Sequence, residues 1–600
     1  KLKGNHNIRF GPEFRVYRES RNRYGPSLSP NFTFNTDFVK ATDTSSAPTA
    51  GGEIASMLLG VPAGSITKVD SYVEQDKYWA LYVQDDWKIT TRLTLNLGLR
   101  WENESPMTER FDRSAIHFAG TTSNPIEAAA RANYATAGPI AELPLSSFKV
   151  LGGLTYANVA PNGRNYWDGE KGNFNPRIGL AYQFRPKTIV RAGYGLFTGS
   201  IGVNYTNTNL TGYSLATPIN ASLDNGLTYV ASISNPFPNG LLTPLGNKGG
   251  LTTNLGQSVT FFPEHRSHPY SQRWSFGLQQ ELPQKVLLEV SYVGNRNTRL
   301  SVNREFSFTP AQYLSTSPTR DQATIDFLGK SFTNPFYGLN SVYTKTITRA
   351  NLLKPFNEFS SVQINGDPAG YSWYHSLQAR FERRFANSWT VQSSYTWSKA
   401  MEAVEFLNAQ DPMPYESLAG LDRTHRLTGS GIWEIPVGRG RKFGSNWNKA
   451  VDFVAGGWQL SGLYQHQSGA PLGFGNRIFT GDLHNIVLPN DQKSPDHWFV
   501  PAAQAGFETN GSKQLASNLR ALSLRFSSVR GPNQDRWDFA LIKTFRITER
   551  IHMDYRAETF NALNHPNLYD PTTDPTSASW GAITGQDTPR SWQMALKLGW

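Results

Sequence analysis

The strongest constraint on this chain is a period of two in its apolar residues, carried by paired segments whose connections alternate between short and long. In LTLNLGLRWE, Leu93, Leu95, Leu97, Leu99 and Trp101 share one face of an extended strand, and Thr94, Asn96, Gly98, Arg100 and Glu102 share the other. YWALYVQDDWKI precedes it across only ITTR, which predicts an antiparallel hairpin. The same unit recurs in FNPRIGLAYQF with TIVRAGYGLF, RWSFGLQQ with VLLEVSYVG, YHSLQARFERRF with WTVQSSYTW, HRLTGSGIWEIP with GGWQLSGLYQHQ, and RWDFALIKTF with RIHMDYRAETF. HNIRFGPEFRVYR and FTFNTDF are expected to form one more pair near the start. The chain closes on SWQMALKLGW, where Trp592, Met594, Leu596, Leu598 and Trp600 fall on one face up to the terminal carboxylate.

Between the hairpins lie polar segments rich in Pro, Gly and Asn, near 105–173, 199–270, 301–370, 400–424, 469–533 and 563–590. A compact soluble domain rarely holds so many long loops. Short turns on one rim and long loops on the other are the pattern of an outer-membrane barrel. The faces agree. Arg100, Glu102, Asp554, Arg556 and Glu558 sit opposite the apolar residues, and Arg or Lys facing mid-bilayer hydrocarbon costs roughly 2–4 kcal/mol. These five are therefore expected to face the lumen. Trp87, Trp101, Trp397, Trp433 and Trp600 stand near strand ends, where interfacial aromatic girdles form. The fold class expected is all-β: a transmembrane antiparallel β-barrel with long extracellular loops. A soluble sandwich or propeller also alternates apolar and polar residues, but nothing in it enforces alternating connection lengths.

Composition narrows the function. With no cysteine, disulfides and Cys-ligated zinc or iron–sulfur centres are excluded. No apolar run reaches the roughly 18 residues of a membrane helix, which says nothing against strands. The net charge of +11 is spread along the chain and builds no nucleic-acid surface. KLKGNHNIRF carries neither an initiator Met nor the apolar core of an export signal, so the expectation is either a cytosolic protein or a chain that begins downstream of its true start.

Candidate chemistry is sparse. Asp85 and Asp86 are adjacent and, on a strand, point to opposite faces, so they cannot converge as acid and base. Glu264, His265 and His268 lack the helical spacing of a zinc site. Asp422, His425 and Arg426 sit where a long loop enters a strand, positioned for ligand or for local hydrogen bonds. Gly329, Lys330 and Ser331 echo a phosphate loop whose first Gly would fall at Thr324. GRGRK, from Gly438 to Lys442, is a basic turn suited to an acidic partner or lipid headgroups. Tyr205, Tyr213, Phe261, Phe262 and Tyr337 are loop aromatics able to stack on sugars or peptides. No catalytic, metal or cofactor site is expected.

DRTHRLTGSGIWEIPVGRGRKFG followed by GGWQLSGLYQHQSGAP, and then RGPNQDRWDFALIKTFRITERIHMDYRAETFNALNHPN, resemble the late barrel of TonB-dependent outer-membrane receptors of the Oar-like type known from acidobacteria and myxobacteria. YVQDDWKITTRLTLNLGLRWE, NFNPRIGLAYQF and PYSQRWSFGLQQELP fit the family's order upstream. Family members end in Phe where this chain has Trp600. The resemblance implies the C-terminal barrel portion of a plugged, 22-stranded receptor, with about seven strands and the plug upstream. It also implies the barrel-assembly machinery and outer-membrane lipid as partners, the TonB complex engaged through the absent N-terminal region, and an extracellular solute (carbohydrate, peptide or chelate) taken up with TonB energy. The hairpins plus the final strand amount to roughly fifteen strands, whereas single-chain bacterial barrels have even numbers. A surface scaffold or adhesin without transport is the alternative, and a soluble carbohydrate-active enzyme a third possibility that would require a convergent carboxylate pair.

Overall fold

The computed structural model describes residues 2–21, 29–36, 39–40, 50–221, 229–340, 342–386 and 388–600. Fourteen long strands run in one continuous antiparallel sheet, each bonded to its neighbours in chain order. They are β1 (His6–Arg21), β2 (Tyr72–Lys88), β3 (Leu93–Glu104), β4 (Asn173–Arg185), β5 (Thr188–Thr198), β6 (Tyr270–Leu282), β7 (Val286–Glu305), β8 (Ser361–Ala386), β9 (Trp389–Ala403), β10 (His425–Glu434), β11 (Trp458–Gln467), β12 (Gln534–Arg546), β13 (His552–Phe560) and β14 (Ser591–Gly599). A stub, Leu2–Lys3, folds back on the start of β1. No helix among the described residues is long and apolar enough to cross a membrane.

The N-terminal hairpin expected from the sequence does not form. β1 pairs over its whole length with β2, from His6 opposite Trp87 to Arg21 opposite Tyr72. Asn31–Thr33 joins Ala63–Val69, which in turn pairs with Ser214–Pro218, in a separate small sheet. Asp37 and Phe38 lie outside the described residues. The long strands therefore number fourteen rather than fifteen, because a three-residue strand cannot compete with a sixteen-residue ladder for β1.

Register keeps one face apolar throughout. Phe10, Val83 and Leu99 stand side by side, as do Ile178 with Leu97 and Tyr194, and Tyr292 with Leu377 and Trp397. Most of these side chains are exposed, as lipid contact requires. Gly294 makes room on that face for Trp274, whose indole lies 2.2 Å from where a Cβ would stand. Charge collects on the other face. Arg100 bonds Glu13 of β1, Glu102 of its own strand and the Tyr78 hydroxyl of β2.

The packed cores lie outside the wall, in the long connections. The connection 105–172 contributes α1 (Glu127–Ala137), whose Ala130 and Tyr134 pack with Phe148, Leu328, Phe336 and Leu352 of two connections. A second cluster joins Met107, Ile116 and Tyr166 to Ile201, Val203 and Phe262. A third, around Phe474, Phe499, Phe507 and Val529, occupies 468–533 with Trp580 against it. β7 and β8 run past the neighbouring strands, so part of the span read as loop is strand, and Ser258–Phe261 pairs in parallel with Ser361–Ile364.

Among the described residues β14 pairs with β13 alone, and β1 pairs with β2 and, at its start, with the two-residue stub, which leaves the outer edges of β14 and β1 without a full partner. Each unpaired backbone group in hydrocarbon costs several kcal/mol. Residues 1–600 expressed by themselves are therefore expected not to insert as a stable barrel. Heat-modifiable migration on a denaturing gel and protease resistance in membranes measure this, and a folded, resistant product would refute it.

Candidate functional site

The site lies where the long connections reach the polar face of the wall. β2 begins at Tyr72, earlier than the alternation read from Tyr78, and this brings Glu74 and Asp76 onto the same face as Tyr78. Glu104 ends β3 beside them. All three carboxylates are buried beneath the connection 199–269. Glu74 accepts the Thr208 backbone N–H, and Asp76 accepts that of Val203 at 2.6 Å. Glu104 accepts the Ile201 N–H at 2.9 Å and the Ser200 hydroxyl. Charge-assisted bonds of this kind are roughly twice as strong as neutral ones, and here they fasten one loop to the rim at successive points.

Two cations complete the arrangement. Arg266 is buried, stacks on Trp167 at 4.6 Å and donates to the Thr206 hydroxyl at 2.8 Å. Burial pulls its guanidinium down to about 10, against the pull of Glu104. His268 Nδ1 lies 3.1 Å from the Gly199 carbonyl and 3.6 Å from Glu104. Below them opens a cavity of about 240 Å³, lined among others by Arg15, Tyr17, Glu102, Asn204, Tyr205 and His268. A second cavity, about 390 Å³, lies within the cap and presents Asn207, Asn209, Asn254 and Asn365 with Thr211 and Phe261. Amides and hydroxyls beside an aromatic ring suit a ligand rich in hydroxyls or peptide groups.

The residues singled out from sequence fall as follows. Arg100 and Glu102 stand on the polar face in the network with Glu13 and Tyr78. Asp554, Arg556 and Glu558 lie opposite Lys597, Ala595 and Gln593, with Asp554 accepting from Thr544 and Arg556 3.5 Å from Glu558. Trp592, Met594, Leu596 and Leu598 line the other face, opposite Thr559, Ala557, Tyr555 and Met553, and Trp600 ends the chain exposed. Asp85 pairs with His6 at 2.6 Å, while Asp86 turns to the opposite face. Asp422 is buried and holds Arg530 at 2.7 Å, tying two connections together, while His425 Nδ1 meets the Tyr395 hydroxyl at 2.8 Å. His265 pairs with Asp168 rather than with Glu264. No group of three potential metal ligands occurs among the described residues. Lys330 is the C-cap of a short helix, Gln322–Gly329. Tyr213 and Phe262 are consumed in packing, whereas Tyr205 and Tyr337 remain exposed. Glu74, Asp76, Glu104 and Arg266 were not singled out beforehand. The E-x-D spacing before Tyr78 was the available signal, since alternate carboxylates on a strand share a face.

A continuous antiparallel wall, apolar outside and charged within, whose long connections fold over one end, defines an outer-membrane β-barrel protein. The chain belongs to the outer membrane beta barrel domain family, whose model matches residues 1–593. Among solved structures it is similar to the FrpB iron transporter from Neisseria meningitidis, at 10% identity and a TM-score of 0.40, covering 100% of this chain and 53% of that one. It is also similar to the ferric-catecholate import receptor Fiu from K12 E. coli, at 11% identity and a TM-score of 0.40, with the same coverage of 100% and 53%. The outer membrane transporter YddB from Escherichia coli aligns at 9% identity and a TM-score of 0.41, over 100% of this chain and 61% of that one. The chain thus spans about half the length of the first of these structures. No curated protein sequence matches it.

Two predictions follow from the cap. Removing Glu104 orphans the Ile201 N–H, so Glu104→Ala is expected to loosen the connection 199–269 by about 1–3 kcal/mol and speed its cleavage by protease in intact membranes. Glu358, in the connection 306–360, is buried with neither carboxylate oxygen bonded, and desolvation pushes it up to about 8. Its folded value exceeds the ordinary 4.5, so the folded cap retains a proton that the unfolded cap releases. Cap stability is expected to be greatest below that ordinary value and to fall as pH rises toward 8, by about 1.4 kcal/mol per pH unit. Thermal melts across this range should show the slope, and Glu358→Gln should remove it.

Proposed function

We propose that this chain forms the wall and solute-gathering mouth of a TonB-energised outer-membrane receptor. In this reading the long connections face the exterior, and the polar face lines the lumen with Arg100, Glu102, Asp554, Arg556 and Glu558. The TonB complex acts through a region outside this chain. The observation that carries the proposal is the fastening of one connection onto buried wall carboxylates, directly above a polar cavity. A fixed cap presents preorganised ligand groups and keeps the entrance aligned with the lumen, which freely waving loops would not do. The late-barrel sequence motifs support the same assignment.

The solute class best suited to the cap cavity is a carbohydrate or peptide, because Asn207, Asn254 and Asn365 offer paired donors and acceptors there. The test is deletion of the gene in its native host, with growth on panels of oligosaccharides and peptides as sole carbon source. One compound should cease to support growth, and depletion of TonB should reproduce the defect. Asn365→Leu in the intact receptor should lower uptake of that compound about tenfold, equivalent to roughly 1.4 kcal/mol, while leaving barrel folding unchanged. Undiminished uptake in the deletion strain, with loss of attachment to a surface ligand, would favour the scaffold reading.

A further inference from the structure

The connections on the other rim are uniform with one exception. Five of them contain two to five residues, whereas 435–457 holds the basic GRGRK turn and a helix, α2 (Lys449–Ala455). α2 is seated against the apolar face of the wall. Phe453 meets Phe545 at 5.1 Å, and the Lys543 ammonium, which projects from that face, is held by the carbonyls of Val454 and Gly456 at the helix C-terminus. The N-terminus is capped by Asn448, which accepts the Val451 N–H at 2.9 Å.

The outward side of this helix is unusual. Ala450, Val451, Val454 and Ala455 are exposed, Val454 by 64%, Phe453 keeps much of its surface exposed even with its ring against Phe545, and Phe443 of the basic turn is exposed as well. Its one acid, Asp452, is turned inward to accept the Arg439 backbone N–H at 2.6 Å. A helix apolar nearly all round is stable only in an apolar environment. Arg441 pairs with Glu434 at 3.2 Å, whereas among the described residues Arg439, Lys442 and Lys449 form no ion pair. Next to this foot, on the same apolar face, runs a groove of about 660 Å³ floored by Gly429, Gly431 and Gly462 and walled by Trp389, Trp433 and Phe539.

We infer that 435–457 is a membrane-interfacial foot that, with the glycine-floored groove, binds an anionic phospholipid of the periplasmic leaflet. An acyl chain lies in the groove, at the depth where the wall meets hydrocarbon. The phosphate lies among Arg439, Lys442 and Lys449, and α2 rests its apolar side in the interface. The short-turn rim of an outer-membrane barrel faces the periplasm, so the occupant comes from that leaflet. The foot also shields the Lys543 ammonium, which would otherwise stand bare on the lipid-facing wall.

The test uses the native full-length protein purified from outer membranes and placed in phosphatidylcholine vesicles containing phosphatidylglycerol. A polarity-sensitive fluorophore is attached through Val454→Cys, since residues 1–600 contain no cysteine of their own. Spin-labelled lipid bearing its label near the headgroup should quench the fluorophore severalfold, and aqueous iodide should not. In native mass spectrometry, retained phosphatidylglycerol should fall at least tenfold in the triple variant Arg439→Glu, Lys442→Glu, Lys449→Glu, and in Gly429→Leu, which fills the groove. Iodide quenching at position 454, as for a foot docked on a soluble periplasmic partner, would overturn the inference. So would phosphatidylglycerol retention unchanged in both variants.

Discussion

Hydrocarbon offers no hydrogen-bond partner, and every feature of the wall follows from that. Each strand must satisfy its backbone against its neighbours, so the ladder runs unbroken from β1 to β14. Apolar side chains can then face outward without a protein core behind them, because the bilayer supplies the apolar phase. Polar groups collect on the opposite face, where Arg100 draws Glu13, Glu102 and Tyr78 into one network.

Outside the membrane the physics reverts to that of a water-soluble domain. The long connections must exclude water from their own apolar residues, and they do so jointly. Tyr134 and Phe148 from one connection meet Leu328, Phe336 and Leu352 from another. The wall then serves as foundation for this cap through Glu74, Asp76 and Glu104, whose acceptor oxygens meet loop N–H groups. Burying such carboxylates is unfavourable unless they are bonded. Their bonds therefore fix where the connection 199–269 can sit.

The wall was legible in the sequence because lipid on one side imposes a strict two-residue period. LTLNLGLRWE and SWQMALKLGW declare their faces outright. The partner of β1 was not legible, since pairing across the fifty residues between Arg21 and Tyr72 depends on competition among distant strands rather than on a local turn. The cap was not legible either. Phe148, Leu328 and Phe336 are scattered among polar residues with no period, and only the folded arrangement gathers them. Of the site, Arg100 and Glu102 stood out by alternation, whereas Arg266 carries no local signal because its surroundings come from three separate segments.

A cap built jointly also limits how this protein can change. A substitution at Phe336 or Tyr166 is felt at once by neighbouring connections, so inheritance should preserve these positions as sets. Leu421, with 88% of its surface exposed, and Tyr205 touch little that constrains them. Diversification is therefore channelled to such tips and to the cavity rims, while the buried seams between connections evolve together or not at all.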